Sequence, residues 1–85
     1  MIEPPPPRFQ WGQRVVSAID LFNDGSFPGV PEGDLLVAQG AAGEIVRTGV
    51  HVDSGTHLYL VEFDGAKVIG CLEDEIAERN EGLAR

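Results

Sequence analysis

The stretch Asn23-Asp24-Gly25-Ser26-Phe27-Pro28-Gly29 constrains this chain more than any other, because neither a strand nor a helix can run through it. Asp-Gly offers a positive-φ position, Pro28 fixes φ and lacks an N–H, and Gly29 relaxes the exit. Pro31 interrupts the chain again, so Asn23 to Asp34 reads as one long loop. Loops of that length inside a small domain are functional or packed as an Ω-loop. Turn chemistry accounts for every residue of the stretch except Phe27, whose ring either plugs into the core or waits for a partner.

The segments around this loop read as strands. Phe9-x-Trp11-Gly12 leads into Arg14-Val15-Val16-Ser17-Ala18-Ile19, a β-branched run with partial alternation. Leu35-Leu36-Val37 and Glu44-Ile45-Val46-Arg47 flank Gly40-Ala41-Ala42-Gly43, whose glycines suit sharp bends in a small barrel. That Gly-x-x-Gly is no phosphate loop, since it lacks a strand-to-helix switch and a following Lys-Ser/Thr.

Asp64-Gly65 is a type I′ hairpin signal. A two-residue loop pairs Phe63 with Ala66, Glu62 with Lys67, Val61 with Val68, Leu60 with Ile69, Tyr59 with Gly70 and Leu58 with Cys71. One face then carries Tyr59, Val61, Phe63 and Val68 as core. The other carries Leu58, Leu60, Ile69 and Cys71, where a half-buried sheet should be polar. Something ought to cover it, either a partner or a lid formed by Leu72 to Arg79 as a helical turn or short helix.

The expected architecture is all-β: a small SH3-like, partly open barrel of about five short strands with a short C-terminal helical turn, an OB-like barrel being the nearest rival. At 85 residues the chain is expected to hold one domain. That domain spans 9–79, between a disordered proline-rich arm over 1–8 and a flexible tail over 80–85.

The formal net charge is -8, and the six basic residues, Arg8, Arg14, Arg47, Lys67, Arg79 and Arg85, stand singly. No basic stripe is available to neutralise phosphates, which disfavours nucleic acid and anionic membranes and favours a basic protein surface as partner. Met1 to Pro7 lacks the apolar and basic regions of a signal peptide, and no stretch is apolar enough to span a bilayer. One cysteine fits a reducing compartment, so the expected location is cytoplasmic.

Chemistry-bearing residues are few. Cys71 is the one candidate nucleophile, but no histidine neighbours it in sequence and a buried structural thiol is the preferred reading. A metal site would have to recruit His51 and His57 with Cys71 or carboxylates. A two-residue Ser54-Gly55 loop sends the two histidines to opposite faces, whereas a three-residue Asp53-Ser54-Gly55 loop sets them opposite each other on one face. Glu73-Asp74-Glu75 reads as a solvated edge rather than a catalytic pair. No catalytic residue, metal site or cofactor is expected, only a small acidic barrel that binds something.

Asn23 to Gly29 resembles the Asn-Asp-Gly-Thr/Ser-aromatic-Pro-Gly motif of the nitrogen-fixation accessory protein family NifZ. Four further segments resemble the family in order: Phe9-x-x-Gly12 with Val15; Gly33-x-Leu35-Leu36-Val37 with Gly40-x-x-Gly43-x-Ile45-Val46; Tyr59-x-Val61-x-Phe63; and Val68-Ile69-Gly70-Cys71-Leu72-Glu73-x-Glu75-Ile76. Phe22 departs from it, standing where a basic residue is expected.

The resemblance implies no catalytic residues and a chaperone-like role in maturing the nitrogenase molybdenum-iron protein, at formation of its P-cluster. The expected docking residues are Asn23, Asp24, Phe27, Pro28, Cys71 and Glu73, with Phe27 as apolar anchor and Asp24 and Glu73 orienting a basic partner, the immature molybdenum-iron protein. Two alternatives stand beside it: an iron or iron-sulfur cluster carrier using Cys71, and a generic acidic SH3-like interaction module.

Overall fold

Alternation of more and less buried residues organises the segments Thr56–Phe63 and Lys67–Leu72, whereas the second half of Ala42–His51 is exposed on both faces. The computed structural model describes residues 6–65 and 67–79; residues 1–5 of the expected arm, the expected tail over 80–85 and Ala66 lie outside the described residues. In chain order the strands are β1 (Arg14–Ser17), β2 (Leu21–Phe22), β3 (Leu35–Val37), β4 (Ala42–His51), β5 (Thr56–Phe63) and β6 (Lys67–Leu72). A 3-10 turn, Glu73–Glu75, then leads to β7 (Ile76–Glu78).

Five strands form an antiparallel sheet in the order β6-β5-β4-β1-β7, and β2 and β3 form a separate two-stranded ribbon at the base of the long loop. The sheet does not close, because β6 and β7 are its two edges and only the 3-10 turn links them. This is an all-β, SH3-like, partly open barrel with one helical turn near its C-terminus.

The core is Phe9, Val15, Leu21, Leu36, Val37, Ile45, Tyr59, Val61, Phe63, Cys71 and Ile76. Phe9 closes one end: its ring meets Tyr59 edge-on at 5.4 Å and an interplanar angle of 83°. Of the two bend glycines, Gly40 takes a positive φ of 89° in the turn before β4. Gly43 serves a different purpose, since a methyl group there would stand 2.7 Å from Val61 Cγ1 and 2.8 Å from Phe63 Cδ1. A β-bulge between Ile45 and Arg47 lets the long β4 bend from β1 toward β5.

The β5–β6 register corrects the sequence expectation. Phe63 pairs with Lys67, Val61 with Ile69, Tyr59 with Cys71 and Leu58 with Leu72, one residue off the two-residue-loop pattern. A slip of one reverses every β6 side chain. Cys71 therefore enters the core and Ile69 is half-buried against it, while Val68 joins Leu58, Leu60 and Leu72 on the outer face. The apolar second face exists, but Ile69 and Cys71 are not on it.

The expected lid is also corrected. Ile76 is buried and β7 pairs with β1, setting Ile76 opposite Ser17, so the segment after Leu72 completes the sheet instead of folding over its outer face. At the other hairpin, His51 pairs with Thr56 and Val50 with His57, giving a four-residue loop where two or three residues were expected. The histidines point to opposite faces: His57 shares the core face with Tyr59 and is buried, and His51 is exposed.

Candidate docking groove

The Asn23 side chain ties the long loop together. Its Nδ2 donates to the carbonyls of Val30 at 2.7 Å, Phe27 at 3.1 Å and Pro31 at 3.4 Å, and its Oδ1 accepts from the N–H groups of Gly25 at 3.0 Å and Phe27 at 3.1 Å. Its backbone closes the base of the loop, donating to Asp34 and accepting from Gly33. The side chain is 2% exposed, so these carbonyls and amides are satisfied without water.

This scaffold sets up what lies outside it. Phe27 is half-buried, one side of its ring packed on the core, and Pro28 beside it is exposed. Asp24 accepts from both the hydroxyl and the N–H of Ser26, at 2.6 and 3.0 Å, and these bonds hold its carboxyl below the usual range. Phe27, Pro28, Asp24 and Ser26 form one wall of a groove of about 690 Å³. Leu21, Phe22 and Leu36 continue that wall, and Val68, Ile69, Gly70 and Glu75 form the opposite one. Phe22 is 59% exposed, so the groove is lined by one half-buried and one exposed aromatic ring.

The remaining expected contacts lie elsewhere. Glu73 Oε2 accepts from the Tyr59 hydroxyl at 2.6 Å and from the Arg8 N–H at 3.1 Å, and the Tyr59 oxygen itself accepts from Arg8 and Phe9. The Tyr59 bond, with the Arg8 N–H, lowers the Glu73 pKa, while burial, then Glu73, raises that of Tyr59. Glu73 thus pins the start of the domain, and lines a separate depression of about 420 Å³ with Arg8, His57 and Asp74. The Cys71 thiol is 1% exposed, and burial, reinforced by Glu75, pushes its pKa up to about 12.

Of the six expected docking residues, then, Asp24, Phe27 and Pro28 line one groove, Asn23 supports it from inside, and Cys71 and Glu73 do not line it. Sequence reasoning did not single out Glu75, Val68 or Gly70 as contacts. Phe22 carried a visible signal, as an aromatic standing where the family resemblance calls for a basic residue before Asn23. Among the described residues no group of three His, Cys, Asp or Glu side chains is placed to hold a metal ion, and no helix is long and apolar enough to cross a membrane.

Comparison with known proteins identifies the family of the chain. The family model described as the NifZ domain matches residues 6–78, the whole sheet and the loop together. The chain belongs to the NifZ family. It is 35% identical over 71 residues to Protein NifZ of Azotobacter vinelandii, covering 82% of this chain and 44% of that protein. Protein NifZ of Azotobacter chroococcum mcd 1 is 32% identical over the same shares. The Putative NifZ protein of Sinorhizobium fredii is 36% identical over 72 residues, 84% of this chain and 66% of that one. The chain thus spans less than half the length of the two Azotobacter NifZ proteins. No solved structure matches it. NifZ membership implies an accessory role in nitrogen fixation.

Proposed function

We propose that this chain is a non-enzymatic accessory factor that docks transiently on the immature nitrogenase molybdenum-iron protein and assists formation of its P-cluster. The supporting observation is the Asn23-organised loop, which holds Phe27 half-buried and Phe22 exposed at one groove without a partner having to order them. A preformed apolar anchor lowers the ordering cost of binding, and binding at modest area then remains specific and reversible. Asp24, kept ionised by its Ser26 bonds, and Glu75 at the same groove suit a basic partner surface.

The cluster-carrier reading is weakened. Cys71 is 1% exposed and burial pushes its thiol pKa up to about 12, so access and loss of the proton both oppose its use as an iron ligand. Co-purification tests the docking reading: the chain should be retained by the cluster-immature molybdenum-iron protein and released by the mature form. Equal retention by both, or by neither, contradicts it.

A further inference from the structure

The groove is also the unclosed seam of the barrel, and β6 presents a free sheet edge to it. At one end Lys67 Nζ donates to the Leu36 carbonyl at 2.9 Å, clasping β6 to β3. At the other, the Ala18 N–H donates to the Glu75 carbonyl at 2.9 Å. Between these clasps, Val68, Ile69 and Gly70 line the groove.

The direction of the β6 backbone follows from one bond. The Leu72 N–H donates to Glu75 Oε1 at 2.9 Å rather than to β5. Bonding and non-bonding pairs alternate along an antiparallel ladder, so Gly70 and Val68 also turn their N–H and C=O groups away from β5. They point into the seam, and β6 is the last strand of its sheet. An edge of this kind, not covered by a helix or broken by proline, is a template for another strand.

We propose that the occupant of this groove is an extended basic segment of the partner that pairs with β6 as a further strand, through the backbone of Val68 and Gly70. The inference rests on the docking reading above and deepens it. Alternate residues of an added strand face opposite sides. Apolar residues on one side would lie over Leu21, Phe27 and Ile69. Basic residues between them would meet Asp24 and Glu75, the acidic groups lining the groove. Main-chain bonds then supply affinity, and the Phe27 wall and the two carboxylates supply selectivity. Gly70 adds access, since it places no side chain beside its own outward N–H.

Amide hydrogen exchange of the full chain, followed residue by residue, tests this with a peptide alternating Lys and Val. The Val68 and Gly70 amides should slow about tenfold on saturation. The same peptide N-methylated along its pairing edge, and a Glu-Val counterpart, should leave both unchanged. Unaltered Val68 and Gly70 exchange with the Lys-Val peptide, or equal binding by the N-methylated one, overturns strand addition.

A variant separates this outcome from failure of the docking reading itself. Gly70→Pro deletes the outward N–H at an edge position that tolerates proline, and Gly70→Ala keeps it, with its methyl 3.8 Å from Leu60 Cδ2. The proline variant should lose the immature molybdenum-iron protein and the alanine variant keep it. If Gly70→Pro binds like the parent while Phe27→Ala does not, docking stands and strand pairing falls. If both bind like the parent, the groove is not the docking site. Should Gly70→Pro fail to fold, the exchange experiment on the native chain decides.

Discussion

The Asn23 to Asp34 loop and the tip of the β4–β5 hairpin are both turn-rich, glycine-bearing connections, yet they are held in opposite ways. The first is tied to a buried amide that collects bonds from both ends of the loop and to a ring packed on the core. The second is tied by short-range bonds within its own turn. Gly55 N–H donates to the His51 carbonyl, and the Ser54 hydroxyl bonds the His51 ring and Thr56. Val50 is 47% and Val52 90% exposed there. The contrast teaches that one satisfied polar side chain orders a loop more effectively than its length or glycine content would suggest. The loop so ordered is the one that presents aromatic rings beside an open sheet edge.

Removing the hub should break the contrast. Asn23→Ala leaves buried carbonyls and amides without partners, and we expect a loss of about 3 kcal/mol in urea unfolding together with loss of the groove-lining shifts in NMR spectra. An effect below about 0.5 kcal/mol would place the order of the loop elsewhere.

A smaller effect is expected at the other polar anchor. Glu73→Gln weakens the bonds from Tyr59 and Arg8 and should cost about 1 kcal/mol at neutral pH once solvent screening is allowed for. The native Glu73 carboxyl titrates below its ordinary value, so the unfolded chain takes up that proton first as pH falls. The stabilisation is complete above the ordinary carboxylate range and disappears as pH drops through the native pKa. Parallel urea curves should show the gap between parent and Glu73→Gln shrinking below about pH 4; a gap constant down to acid pH would disprove the assignment.

The smallest effect belongs to the hairpin tip. Val52→Ser should change stability by less than about 0.5 kcal/mol and leave partner retention unaltered. A marked loss of retention would move the docking surface to the hairpin and erase the distinction between the two loops.

What could be read from the sequence follows the same division. Turn chemistry placed the long loop and the position of the Asp64-Gly65 bend, and residue alternation placed β5, because positive-φ glycines, φ-fixed prolines and period-two patterning are local signals. The β6 register was not legible. Val68 and Ile69 are both apolar, so either could face the core, and no polar residue among Val68 to Cys71 marks an outer side. Its resolution depends on distant partners, among them the Leu36 carbonyl that receives Lys67 and the space beside Val61 and Tyr59 that takes Ile69 and Cys71. Phe27 was legible as an anomaly and Asn23 as a turn former, but not Asn23 as the support of Phe27. That relation spans Val30 and Pro31 and exists only once the loop has closed.

The central claim is that this loop presents Phe27 as the apolar anchor of a docking groove. Its most direct test is the affinity of folded Phe27→Ala for the cluster-immature molybdenum-iron protein, measured beside the parent chain. A loss of about thirtyfold or more, with dispersed NMR signals retained, is the predicted result. Unchanged affinity in a folded variant would contradict it.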